Sequence, residues 1–269
     1  MIHDLPHARR RALSVRLADC AADIESAQRL RWDIFYDERG AEALAGMRAG
    51  YDADAFDPHC DHLLVEDEGR MVGTYRLLRA SVAAAHGGFY SAQEYGLAAI
   101  ERHAAADGRE LLELGRSCVA PAYRDAATIQ LLWRGIAHYL ADHRIGGMFG
   151  CASFPGIDPR AHALSLSYLL HHHLAPATIR AAALPEHHVE MQMLPRDSYD
   201  VRAAMRMLPP LIKGYLRVGA FVGDGAVIDH QFNTVDVFMF MPVEAITARY
   251  FERFLDRKST RLNSSHRCI

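Results

Sequence analysis

The sequence predicts one mixed α/β domain, and three observations carry that expectation. Residues 110–154 read as strand, turn, amphipathic helix and strand, which is the length of a βαβ unit. Half of the 269 residues are hydrophobic, enough to bury a sizeable core. No internal repeat or linker-like stretch divides the chain.

The elements follow in order. Residues 1–13 are rich in Arg and His without periodicity and read as a flexible N-terminus. Residues 14–18 alternate as a short strand, and Ile24, Ala27, Leu30, Ile34 and Phe35 recur at helical spacing over residues 21–38. Residues 40–60, rich in Ala, Gly and Asp, read as a mobile loop. Residues 62–66 and 71–78 pair as a hairpin whose turn contains Gly69. Ser91 is placed to cap a helix running to about His103. The clearest helix covers residues 125–142, where Ile129, Leu132, Trp133, Ile136, Tyr139 and Leu140 share a face that a sheet must cover. A helix over residues 159–171 precedes a Pro-punctuated stretch through Pro195. Pro209 and Pro210 open a short helix over residues 211–216. A glycine-rich stretch at residues 223–229 reads as a tight turn or a substrate contact. A buried strand over residues 235–241 and a helix starting at Ala245 complete the series.

Several function classes fall away on composition. A formal net charge of −3 gives no electrostatic reason to expect nucleic acid as a partner. No apolar run approaches the ~20 residues of a membrane span, and Met1-Ile-His-Asp-Leu-Pro6 has no signal-peptide core, so a cytoplasmic protein is expected. The five cysteines are scattered without a Cys-x-x-Cys pair, which argues against a disulfide framework or a zinc knuckle. Residues 256–269 differ in texture from the rest, with one of only two lysines in the chain. They look like the translation of a short-read sequencing adapter and are read as an artefact. That tail carries a net +3, which leaves the body near −6, a weak match to a cationic substrate.

Within the core stretch, Glu113 and Arg116 stand three apart on an otherwise apolar strand, on opposite faces unless a bulge intervenes. Their spacing suits either a strand-end ion pair or a site in which Glu113 takes a proton and Arg116 holds an anion. An amine near pKa ~8 is mostly protonated at neutral pH, so amide formation profits from a placed carboxylate base. The turn at residues 120–128 leads into the long helix, whose free N–H groups suit a phosphate, with Arg124 assisting. Neither GxxxxGK[ST] nor GxGxxG is present, which argues against nucleotide enzymes. His171 to His173 and His187-His188 lack matched metal-ligand spacing, so no metal is expected. Cys118 reads as a buried strand thiol rather than a nucleophile, and Trp133 as helix core.

An ordered motif set then points further. Arg31-Trp-Asp-Ile-Phe-Tyr36, Asp54-Ala-Phe-Asp57, Cys60-Asp-His-Leu-Leu-Val65, Gly73-Thr-Tyr-Arg76, Gly88-Phe-Tyr-Ser-Ala92, Glu113-Leu-Gly-Arg-Ser-Cys-Val119, Phe149-Gly-Cys-Ala-Ser-Phe-Pro-Gly156 and Leu208-Pro-Pro-Leu-Ile-Lys-Gly214 resemble the bacterial L-ornithine Nα-acyltransferases of ornithine-lipid synthesis. These hemolysin-like proteins belong to the GNAT superfamily, with acyl-homoserine-lactone synthases as cousins, and the resemblance spans residues 14–255. It implies a single GNAT-like α/β domain with a mixed central sheet, flanked by helices, in which strands 111–119 and 147–153 splay apart. It implies transfer of a 3-hydroxyacyl group from acyl carrier protein to the α-amine of L-ornithine, giving lyso-ornithine lipid. The 4′-phosphopantetheine of the carrier is then the donor arm, with no tightly bound cofactor, and peripheral contact with the inner membrane face is compatible with an amphiphilic product. Glu113 is implied as base; Arg116, Ser117, Arg124 and Thr128 as donor-binding; Arg31, Phe35, Asp54, Asp57 and Arg76 as ordering the acceptor pocket. Asp57 and Asp61 are alternative partners for the δ-ammonium of ornithine. The glycines of a coenzyme A turn are missing at Tyr123-Arg-Asp-Ala-Ala-Thr128, which favours a carrier protein as donor. Other readings remain: another amino acid as acceptor, a homoserine-lactone-type signal synthase, or a non-catalytic membrane-perturbing protein.

Overall fold

Nine strands among the described residues join in one sheet, ordered β1 (Leu13–Leu17), β2 (Asp61–Asp67), β3 (Arg70–Arg79), β5 (Glu110–Val119), β6 (Ile145–Pro155), β9 (Thr234–Pro242), β8 (Phe221–Asp229), β7 (Ala182–Ala183) and β4 (Tyr95–Gly96). The computed structural model describes residues 11–246. The expected flexible N-terminus falls almost wholly outside them, as do the helix expected after Ala245 and the adapter-like tail. Strands β1 (Leu13–Leu17), β2 (Asp61–Asp67) and β3 (Arg70–Arg79) run antiparallel. Helix α1 (Ala21–Trp32) continues as a π-helical turn at Asp33–Glu38 between β1 and β2. Strand β5 (Glu110–Val119), helix α4 (Ala126–Asp142) and strand β6 (Ile145–Pro155) make the expected βαβ unit, the strands parallel. Strand β9 (Thr234–Pro242) lies antiparallel to β6, and β8 (Phe221–Asp229) to β9.

Each face of the sheet carries its own apolar core. On one face, Leu63, Tyr75, Leu114 and Val237 pack against α1, α4, α5 (Ala163–His173) and α7 (Pro210–Arg217). On the other, Phe149, Phe238 and Phe240 pack against α2 (Ala80–Ala85), Phe89 and α3 (Ala98–Ala106). Alternation along the strands therefore assigns Glu113, Cys151, Ser153, Thr234 and Asp236 to this second face.

Two expectations change, and one element was not expected. The helix expected from Ser91 is a 3-10 turn at Tyr90–Gln93, a two-residue strand β4 (Tyr95–Gly96) and then α3. The Tyr90 and Ser91 backbone N–H groups are drawn to Glu113 instead of a helix start, and Tyr95 pairs with Ala183 of β7 (Ala182–Ala183). The glycine-rich stretch at 223–229 is not a tight turn but most of β8, with an irregularity between Val222 and Ala226. Helix α6 (Val201–Met207), capped by the Asp200 side chain, had no expectation attached to it.

Two local features open the sheet. Parallel pairing of β5 with β6 ends at Glu113 opposite Phe149; beyond it β5 pairs with β3 alone and β6 with β9 alone. Gly150 stands at the fork, where a Cβ would collide with the Leu114 carbonyl oxygen. Opposite β3, the register slips between Thr74 and Arg76, so β5 carries an extra residue, and Arg116 takes a left-handed φ of 50°. A left-handed backbone costs about 1 kcal/mol or more for a side-chain-bearing residue, strain that is common where a side chain must be re-aimed.

Candidate functional site

The fork is continuous with a cavity of about 470 Å³ whose walls come from both faces of the sheet. Its apolar half is lined by Leu114, Ile129, Leu132 and Trp133 with Pro209, Pro210 and Leu211. Trp133 thus lies on a cavity wall, edge-on to Tyr215, rather than in helix core alone. Its polar half is lined by Tyr90, Ser91, Glu94, Glu113, Arg116, Asp229 and Asp236.

Glu113 is buried where the two strands part. Its Oε2 accepts from the Tyr90 N–H at 2.8 Å; its Oε1 accepts from the Ser91 N–H at 2.7 Å and the Ser91 hydroxyl at 2.5 Å. Burial pushes its pKa up, and these bonds from Ser91 and Tyr90 restrain the rise without cancelling it. A carboxylate offers about four lone-pair positions, so three donors leave one on Oε2. A carboxylate held rigidly with a raised pKa and one free position can accept a proton.

The bulge turns Arg116 toward the same cavity as Glu113, which regular alternation forbids. Its guanidinium lies 4.8 Å from the Tyr90 ring centre and 4.5 Å from that of Phe232, and pairs with Asp52 and Asp54 at 3.2 Å each. Arg76 reaches Asp54 at 2.6 Å and Asp57 at 3.1 Å. Arg31, 1% exposed, holds Asp57 at 2.6 Å and Asp52 at 2.9 Å. Burial works against charge on Asp57, yet the Arg31 and Arg76 partners hold its pKa well below the usual carboxylate range. Residues 40–60, expected as a mobile loop, are therefore fastened by three aspartates to arginines on α1, β3 and β5. Regular structure in them is limited to the 3-10 turn Asp57–His59.

The expected site residues thus divide. Glu113, Arg116, Ser117, Phe35, Arg76 and Arg124 reach the cavity, while Arg31 and Asp57 lie buried behind it as a brace. Asp54 joins the two groups through Arg76 and Arg116. Thr128 is fully buried; its N–H and hydroxyl both meet Asp125 Oδ1, at 3.0 and 3.2 Å, away from the cavity. Arg124 is held by Glu38 at 2.7 and 2.6 Å and by the Val119 carbonyl. Asp125 already sets a negative charge on the positive end of α4, which weakens that end as a seat for a diphosphate. The two aspartates considered for an ammonium are also engaged: both Asp57 oxygens meet cations or Gln28, and Asp61 accepts from Tyr139 at 2.5 Å. Burial pushes the Cys118 thiol up to about 12, so no thiolate nucleophile is available there near neutral pH. His171 and His173 bond the Tyr199 and Tyr168 hydroxyls.

Sequence reasoning missed Glu94 and Asp236. Burial, with help from Asp236 and Asp229, pushes Glu94 up to about 7. Burial pushes Asp236 up to about 6, with the Thr234 and Ser153 hydroxyls pulling the other way. A signal for Asp236 existed, since it is the one charge in the run Val235–Met241. Glu94 had none, because it was read on a helix that does not form.

A mixed sheet with a forked parallel pair and a buried carboxylate at the fork defines an acyltransferase of GNAT type. The family described as Acetyltransferase (GNAT) domain matches residues 30–134. Among solved structures, FeeM, an N-acyl amino acid synthase from uncultured soil microbes, superposes with a TM-score of 0.53 at 11% identity, over 90% of this chain and 98% of that one. The CoA-dependent acyl-homoserine lactone synthase BjaI does so with a TM-score of 0.50 at 17% identity, over 91% and 89%. Both likenesses concern the fold. By sequence, the L-ornithine N(alpha)-acyltransferase of Agrobacterium fabrum is 47% identical over 251 residues, covering 90% of this chain and 85% of the relative. That of Brucella abortus is 45% identical over 252 residues, covering 90% and 89%. The chain belongs to the L-ornithine Nα-acyltransferase family and is an N-acyltransferase. Membership sets aside the reading of a protein without catalytic activity.

Proposed function

We propose that this enzyme moves a 3-hydroxyacyl group from the phosphopantetheine thioester of acyl carrier protein to the α-amine of L-ornithine, yielding lyso-ornithine lipid and holo-carrier. The observation that carries the reading is Glu113 at the fork, with an apolar half of the cavity on one side and a carboxylate-rich half on the other. Ornithine as acceptor follows from the named activity of the relatives.

The pantetheine arm enters between β5 and β6, where backbone groups beyond Glu113 and Phe149 have no partner across the fork. The acyl chain lies along Trp133, Leu132 and Leu211. Arg124, with Ser117, meets the donor's single phosphodiester at the rim, whereas Thr128 stands too deep to do so. Arg116, expected on the donor side but held between the Tyr90 and Phe232 rings, is reassigned to the acceptor's α-carboxylate. The α-ammonium gives its proton to Glu113, directly or through one water. The free amine attacks the thioester carbonyl, whose developing oxyanion is met by backbone N–H groups of the opened strand. A C–N bond forms as the C–S bond breaks, and the departing thiolate takes up a proton. Cytoplasmic carrier protein and amino acid place the reaction in the cytoplasm, with the amphiphilic product passing to the inner face of the membrane. No helix among the described residues is long and apolar enough to cross that membrane.

The test is incubation with 3-hydroxyacyl carrier protein and each amino acid in turn, followed by product mass. N-acylornithine is expected. Exclusive acylation of another amino acid, or formation of an acyl lactone, overturns the proposal.

A further inference from the structure

Glu94 and Asp236 have no place in the chemistry above, yet both are carboxylates on the cavity wall. Asp236 is 7% exposed; the Thr234 and Ser153 hydroxyls act on its carboxyl, but its Oδ1 has no hydrogen-bond partner among the described residues. Leaving a buried acceptor unpaired forfeits its bond to water with nothing in return, so such an atom calls for a partner that arrives from outside. Among the described residues no arginine supplies it: Arg116 approaches from the β5 side but is paired with Asp52 and Asp54. Glu94 projects from the turn above the same sheet face, and its Oε2 accepts from the Cys151 thiol at 4.0 Å. Asp229, the neighbouring carboxylate, is turned to the Phe232 N–H at 2.9 Å. Among the described residues the groups that act on the pair are acidic or neutral except Arg116: Glu113 and Asp229 as acids, Cys151, Ser153, Thr234 and Tyr95 as uncharged neighbours.

We infer that Glu94 and Asp236 form the recognition site for the second, side-chain ammonium of a diamino acid acceptor. This rests on the acceptor reading proposed above and adds the specificity determinant to it. The division of labour follows from the chemistry of two amines. One must lose its proton to react, and it meets Glu113, a carboxylate already restrained by three donors. The other must remain charged, and it meets carboxylates whose pairing is incomplete, where a desolvated ammonium gains charge-assisted hydrogen bonds. A divalent metal suits this wall less well, since among the described residues Glu94, Asp229 and Asp236 do not converge as a ligand trio. The raised pKa values of both acids, about 7 and about 6, are what two desolvated carboxylates show before a cation reaches them.

The experiment compares ornithine with norvaline, which has the same carbon chain without the terminal amine. The ratio of their kcat/KM values is measured with one acyl-carrier donor in wild type, Glu94→Gln, Asp236→Asn and the double variant. Wild type should prefer ornithine, and the double variant should lower the ratio on the order of 100-fold, chiefly through the ornithine KM. A ratio unchanged within about threefold in a folded double variant overturns the inference. Should the double variant fail to fold, Glu94→Gln alone decides, since that side chain is not fully buried. If wild type acylates ornithine and norvaline equally, the inference falls and the acyltransferase reading stands. If wild type acylates no ornithine at all, both fall.

Discussion

Two groups of charges flank one cavity, and they are built in opposite ways. On the α1 side, Arg31, Arg76 and Arg116 are matched against Asp52, Asp54 and Asp57, each within 3.2 Å of a partner. On the β9 side, no cation among the described residues is committed to Glu94 and Asp236. A matched network fixes a loop in place and leaves only Arg116, at its cavity edge, to face a ligand, whereas an unmatched pair is held in readiness for one. The comparison separates residues that shape the pocket from residues that use it, a separation that residue type alone does not make.

The largest effect should come from breaking the matched side. Asp57→Ala leaves Arg31 and Arg76 buried against one fewer carboxylate, and loss of one partner in a buried pair costs about 3–5 kcal/mol. Chemical denaturation should show that loss, and activity should fall in step with the folded fraction. A stable but inactive Asp57→Ala enzyme would move Asp57 to the substrate side of the comparison.

Glu113→Gln comes next. Removal of a general base lowers turnover about 10²- to 10⁴-fold, and the change should fall on kcat while the donor KM stays within a few-fold. Full turnover at saturating carrier protein would end the assignment of Glu113 as base.

Asp236→Asn should behave in the opposite sense to Asp57→Ala and stabilise the protein. The folded-state pKa is raised from the ordinary 3.8 to about 6. Its contribution is then complete below pH ~4, where the acid is neutral in both states, and lost as pH rises through about 6. Above that, the ionised buried acid costs up to about 3 kcal/mol, which Asn avoids. The melting temperature of Asp236→Asn should therefore exceed that of wild type at pH 8 and match it near pH 4. Equal gains at both pH values would show that packing, not charge, is responsible.

The smallest effect belongs to Thr128→Val. Its hydroxyl meets only Asp125, so the donor KM should change less than about threefold, whereas Arg124→Ala should raise it more. A large donor defect from Thr128→Val would restore the helix N-terminus as the phosphate seat.

Much of this was legible in the chain itself. The βαβ unit, the hairpin and α4 follow from strong periodicity, and the ordered motifs around Arg31, Asp54, Arg76 and Glu113 carried the fork and the family. What escaped was non-local. Arg116 faces the cavity because β5 gains a residue relative to β3, and a bulge has no periodic signature. The 3-10 turn at Tyr90–Gln93 forms because Glu113, more than twenty residues away, takes its N–H groups. Ser91 looks like a helix cap when only its neighbours are considered. Asp236 was visible as a charge in an apolar strand, but its lack of a cationic partner among the described residues is a fact of packing. Pairing separates brace from binding wall, and it is set only when distant segments meet.

The most direct measurement is the thermal shift produced by ornithine at pH 8 in wild type and in Asp236→Asn. Ornithine should raise the wild-type melting temperature, norvaline should raise it much less, and the difference between the two should vanish in the variant. Equal stabilisation of both proteins by ornithine would contradict the claim that the unmatched carboxylates are the part of the cavity reserved for the ligand.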